Sequence, residues 1–176
     1  VGGTRGFLEP PQGHAAIPPG ELETVRRLAI QHNGRQKPFD SFARETLRLI
    51  TGRPRLTRED PVATVLSIMA QSEHWQALAL ISVPFGPLRE ALGLDRQTTH
   101  VSYNDLLATR KLMRMLPPIV QKQQRDEKLT MLEQETMDVY ERFVALSSLF
   151  EQDLRLVPPP HASERVWLPI LEPTGY

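Results

Sequence analysis

Leu129, Leu132, Thr136, Val139, Phe143, Leu146, Phe150 and Leu154 step along the chain by three and four residues. No strand can use that spacing, because strand side chains alternate with a period of two. The seam therefore fixes one long helix, and Met137, Tyr140, Val144 and Leu149 widen its apolar face beyond a narrow coiled-coil stripe. A helix with so broad an apolar face must bury it in a packed domain. The polar stretch 121–128, QKQQRDEK, precedes the seam as an exposed first part of the same helix or as a loop.

Shorter helices carry clear start and stop chemistry. Phe39, Phe42, Ala43, Leu47 and Ile50 share one helical face. Pro38 blocks that helix from extending backwards, Asp40 is expected to cap it, and Gly52 with Pro54 ends it. Asp60 before Pro61 marks the next helix, with Val62, Val65, Leu66 and Met69 as its inward stripe. Trp75, Leu78, Ala79 and Ile81 are expected to continue the core after a break near Ser72. Residues 85–93 read as a short helix closed by Gly93. Ser102 and Asp105 form a capping box for a helix with Leu106, Leu107, Leu112 and Met115 facing inward, which Pro117 and Pro118 are expected to end or kink.

The β content is small. Leu28 to Gln31 can form a short strand entering a turn at His32-Asn33-Gly34-Arg35, because Asn-Gly favours the positive φ values of a tight hairpin. A second extended piece is expected at 154–157. The predicted class is mainly α, an irregular helical domain with a small β-hairpin element. Proline and glycine crowd both ends, which divides the chain into a flexible leader at 1–20, a helical globular domain at 21–157 and a proline-rich exit segment at 158–176.

Charge and composition exclude several functions. The 21 basic residues balance the 21 acidic ones, so the net basic footprint of a nucleic-acid binder is missing. With no cysteine there is no disulfide scaffold, zinc-thiolate site or cysteine nucleophile. The longest apolar run, Ala77 to Val83, is far short of the roughly 20 residues that cross a bilayer. The chain begins at Val1 with neither an initiating Met nor a signal peptide, and reads as a piece of a longer protein.

Catalytic and metal motifs are equally sparse. The five histidines (His14, His32, His74, His100 and His161) form no metal-ligating helical pair. Haem can use a single histidine, but the spacing of His32 and His74 gives ligation no support. The sequence contains no phosphate loop and no nucleophile elbow. Acidic pairs such as Glu133 and Glu135 fit solvated helix faces.

What stays unexplained is Arg35 and Lys37, two cations beside the turn with no local acid before Asp40. They read as a solvated hairpin tip, or as a contact for a carboxylate, lipid headgroup or haem propionate. In a third reading Arg35 docks on an acid of the long helix, Glu135 or Glu141.

The stretch 31–44, QHNGRQKPFDSFAR, resembles a motif of system II (ResB/CcsA-like) c-type cytochrome biogenesis membrane proteins. The likeness rests on Gly34, Arg35, Lys37, Pro38, Asp40, Ala43 and Arg44, with Ser41 and Phe39 departing from the usual Thr and aliphatic residue. Downstream, 135–142 with Glu135, Glu141 and Arg142 is similar to a helix of that family, and 154–160 with Trp167-Leu168 to its exit toward the membrane. The resemblance covers about 25–170 and is most specific in its first motif.

It implies an extracytoplasmic, periplasmic domain of a multi-pass membrane protein that carries haem outward and joins it to apocytochrome c. The tryptophan-rich haem-handling motif and the membrane histidines are absent from this chain. The implied role is therefore non-catalytic: a scaffold or apocytochrome-receiving module. It binds no cofactor itself, its partners are apocytochrome c and the membrane-embedded remainder of the same protein, and haem is handled by the whole protein. The alternative is a generic helical protein-interaction module unrelated to cytochromes, presenting the long seam helix to a partner. An enzymatic reading requires a pocket of convergent titratable groups near His32, Arg35 and Asp40.

Overall fold

The computed structural model describes residues 8, 17–32, 35–95, 97–152, 155–157 and 168–169. The chain is mainly α-helical with small antiparallel sheets, as its periodicities predict. It divides into two compact units, residues 1–72 with 147–176, and residues 73–146. The expected leader lies largely outside the described residues, as does the exit segment apart from residues 168–169.

The first unit begins with α1 (Pro19–Arg27), a helix absent from the sequence reading, which places a proline in its first turn. Strands β1 (Ala29–His32) and β2 (Arg35–Pro38) form the expected hairpin, pairing Ala29 with Pro38 and His32 with Arg35. Helix α2 (Phe39–Thr51) follows without a break. Its predicted face is buried throughout: Phe39, Phe42, Ala43, Leu47 and Ile50 are at most 3% exposed. Gly52 closes it at φ 76°, a left-handed conformation that glycine adopts without penalty.

Helix α3 (Pro61–Ala70) packs against α2 and is buried on nearly every side, a wider burial than the predicted stripe. Beyond α3, strand β5 (Arg155–Val157) pairs with β1 and strand β6 (Leu168–Pro169) pairs with β5, giving the order β2-β1-β5-β6. The extended piece expected near 154–157 is thus the third strand of this sheet.

The second unit holds most of α4 (Ser72–Gln76), followed by β3 (Ala79–Ser82), α5 (Gly86–Leu92), β4 (His100–Ser102), α6 (Tyr103–Thr109), α7 (Lys111–Gln124) and the larger part of α8 (Met131–Phe150). Pairing of β3 with β4 places a strand within the stretch expected to continue the core through Trp75, Leu78, Ala79 and Ile81. A short unbroken apolar run carries no period that separates strand from helix. Trp75 is fully buried, whereas Ala79 is exposed.

Ser102 ends β4 and caps α6: its Oγ accepts from the Asp105 N–H at 3.0 Å and donates to the Asp105 carboxylate at 2.6 Å. The helix does not stop at Pro117-Pro118. It breaks at Arg110, whose φ of 51° interrupts the helical path, and α7 then continues through both prolines. Each proline lacks an N–H, so the carbonyls of Met113 and Arg114 have no donor four residues on.

Helix α8 carries the long seam. Thr136, Val139 and Leu146 are fully buried, and Phe143 is 6% exposed with its ring stacked on Tyr103 at 4.5 Å. The polar stretch before it resolves into the last turn of α7 and a connection, which Glu133 organises by accepting from Lys122 at 2.6 Å and from the Thr130 N–H at 2.8 Å. Those bonds hold the Glu133 carboxyl down at about 2.

Candidate functional site

The hairpin and α2 bring most of the sequence candidates together. Cross-strand partners share a face of a hairpin, and so do residues two apart. Ile30, His32, Arg35 and Lys37 therefore lie on one side, and Ile30 is fully buried there. That side meets α2: the His32 ring sits edge-on to Phe42 at 5.1 Å, and Lys37 Nζ lies 2.5 Å from Glu45 Oε2.

Lys37 is thus engaged. Its partner is eight residues away across the bend between strand and helix, a separation that no rule of helical spacing flags. Arg35 differs: it is exposed, and its side chain has no partner among the described residues. In the third reading its partners are Glu135 and Glu141, which belong to the second unit, whereas Arg35 belongs to the first. Gly34 lies outside the described residues, and Pro38 sits at the junction of β2 and α2.

Asp40 is not the N-cap of α2. Pro38 occupies that position, and the Phe39 N–H is satisfied by the Leu28 carbonyl at 2.8 Å. Asp40 falls inside the first turn, where its negative charge suits the helix dipole. Its carboxylate takes two bonds from Arg44, one turn along, at 2.9 and 3.2 Å. Asp40 and Arg44 are a local ion pair on the helix surface.

His32 contributes something the charge pattern does not reveal. Its Nδ1 is buried and has no hydrogen-bond partner among the described residues. Burial pushes its pKa below the ordinary 6.5, and the nearby Lys37 ammonium pushes in the same direction, against a smaller opposing pull from Glu45. The ring is held neutral, with one ring nitrogen next to a cationic strand. On this hairpin face the exposed Arg35 guanidinium is the group able to meet a carboxylate from outside, whereas the His32 ring nitrogen is enclosed.

The other candidates belong to the second unit. Arg142 donates to the Ser82 carbonyl at 2.9 Å, which fastens α8 to β3. Glu135 is half-buried, with one carboxylate oxygen buried and without a hydrogen-bond partner among the described residues, and Glu141 is exposed. No group of three or more His, Asp or Glu that could hold a metal occurs among the described residues. No described helix is long and apolar enough to cross a membrane. Comparison with known protein families and with curated proteins finds no match to this chain.

Proposed function

We propose that this chain is a periplasmic domain of a cytochrome c assembly protein, supporting haem delivery and attachment to apocytochrome c as a scaffold or apocytochrome-receiving module. The support is the resemblance of the 31–44 motif together with what the fold does to that motif. Folding gives every described charged residue of the motif a local partner except Arg35. Asp40 and Arg44 neutralise each other, and Lys37 is tied to Glu45. The exposed Arg35, without a partner among the described residues, carries the proposal, because a free guanidinium at that place is well suited to a carboxylate of a partner chain.

The experiment is a titration of the 176-residue chain with an apocytochrome peptide containing Cys-x-x-Cys-His. Binding that weakens on Arg35→Ala supports the receiving role, and no binding at high micromolar peptide sinks it. A haem titration followed in the visible region is expected to give no stoichiometric Soret shift, because haem is assigned to the rest of the protein. Reading the genomic sequence on either side of this chain adds an independent check. Flanking hydrophobic spans with a tryptophan-rich motif support the proposal, and a soluble context refutes it.

The alternative, a helical interaction module unrelated to cytochromes, has to use a surface other than the α8 seam, since Thr136, Val139, Phe143 and Leu146 are buried.

A further inference from the structure

Helices α6 and α7 are separated by a single residue, Arg110, held at φ 51° and ψ 4°. Left-handed backbone is unfavourable for a residue that carries a side chain, so the bend is imposed by its surroundings. Along the bend runs an open groove of about 1060 Å³. From α6 it is lined by Asn104, Leu107 and Ala108, which recur at helical spacing on one face. Met113, Arg114 and Pro117 line it from α7, and with Arg110 they repeat the i, i+3, i+4, i+7 spacing of one helix face. Two helices offering such faces leave between their ridges a channel that a third helix can fill.

Two observations show what kind of helix fits. Leu107, which the sequence periodicity points inward, is 48% exposed and lies in the groove wall. Apolar surface that the chain's own pattern prepares for burial is left uncovered by the described residues. Arg110 and Arg114 are exposed one turn apart, and neither side chain has a partner among the described residues. No carboxylate lines the groove. Like charges one turn apart repel, and an incoming acid removes that repulsion.

We propose that this groove receives an amphipathic, acidic helix of a partner protein. Its apolar residues at i, i+3, i+4 and i+7 cover Leu107, Ala108, Met113 and Pro117, and flanking Asp or Glu side chains reach Arg110 and Arg114. The inference is independent of the role given to the hairpin, which lies in the other unit.

The test uses the 176-residue chain and a synthetic, fluorescently labelled helical peptide with leucines at that spacing and glutamates beside them. Micromolar binding is expected for this peptide and none for the version with lysines in place of the glutamates. Arg114→Gln weakens binding about ten-fold or more, as removal of one member of a partly desolvated charge pair does. Leu107→Asp abolishes it. Arg110→Gly removes the second guanidinium while suiting the left-handed backbone, so it tests the charge in a variant that retains the fold. Equal binding of the two peptides, or binding unchanged in Arg114→Gln and Arg110→Gly, overturns the proposal. So does a chain that ignores the peptide but sediments with phosphatidylglycerol vesicles through the same arginines, since the groove then serves a membrane surface. Arg35→Ala leaves peptide binding unchanged, which separates a failure here from a failure at the hairpin.

Discussion

Two helices of the first unit each begin beside a proline and an aspartate, and the order of the two residues decides what each aspartate does. At α3 the aspartate comes first. Asp60 has extended backbone at the N-cap, Pro61 takes the first helical position, and the Asp60 carboxylate accepts the Val62 N–H at 2.9 Å. At α2 the proline comes first, so Asp40 arrives too late to cap and turns to Arg44. The first free N–H of α2 is satisfied by the backbone of Leu28 instead. One helix is started by a side chain, the other by the strand hairpin that precedes it. The motif of residues 31–44 is therefore a single folding unit, in which hairpin and helix start depend on each other.

The largest effect is expected where that dependence is concentrated. Phe39 begins α2, its N–H bonds to Leu28, and its ring is fully buried beside Phe42 at 5.8 Å. Phe39→Ala should cost about 3–5 kcal/mol in urea unfolding, the range for truncating a buried aromatic. A cost below about 1 kcal/mol would mean that the hairpin does not anchor the helix.

Asp60→Ala comes next. The cap is worth about 1 kcal/mol, and the carboxylate also accepts from Arg26 of α1 at 2.5 Å in a part-buried setting. A total loss of about 1–2 kcal/mol is expected. Asp60→Asn keeps an N-cap and isolates the share due to Arg26, so it should retain about half of the stability lost in the alanine variant.

The hairpin side of the comparison also predicts a pH dependence. His32 has a folded pKa below 6.5, so above pH 6.5 both folded and unfolded states carry it neutral and its contribution is fully present. As pH falls below 6.5 the unfolded chain takes up a proton that the folded chain refuses, and stability is lost. Urea melts across that window should show the loss in the wild-type chain and not in His32→Gln. Glu133 provides a separate window: with its folded pKa near 2 against an ordinary 4.5, its contribution holds above 4.5 and disappears toward 2. A His32→Gln variant that still loses stability just below pH 6.5 would remove His32 as the cause.

Asp40→Ala should be milder than Asp60→Ala. Exposed i, i+4 pairs contribute about 0.3–0.5 kcal/mol, and Arg44 is 45% exposed. Equal losses from the two aspartates in urea unfolding would erase the distinction drawn between the two helix starts.

How much of this was legible in the sequence follows from the range of each interaction. The Asp60 cap, the Ser102–Asp105 box, the Gly52 and Gly93 stops, the α2 face and the α8 seam all act within a turn or two, and local spacing displays them. Asp40 was misread because two local rules competed and Pro38 took the position the aspartate needed. The pairings of β3 with β4, β1 with β5, and Arg142 with Ser82 join residues far apart in the chain, where one sequence carries no signal. Leu107 is instructive in another way: its spacing pointed inward, but it is 48% exposed and the described residues do not cover it. At the candidate site the charges were legible, but their division into a paired Lys37 and a free Arg35 depends on Glu45 crossing the bend.

That division yields the smallest expected effect on stability. Lys37 is 22% exposed and held by Glu45, whereas Arg35 is exposed with no partner among the described residues. Surface substitutions away from caps, cores and networks usually stay within about 0.5 kcal/mol, so Arg35→Ala should melt at the temperature of the parent chain. Its register opposite His32 is maintained by backbone bonds that alanine preserves. If the same substitution leaves folding intact and weakens binding of the proposed Cys-x-x-Cys-His peptide, the guanidinium acts on a partner and not on the fold. If it unfolds the domain, Arg35 is a structural residue, and the contrast between the two cations of this strand disappears.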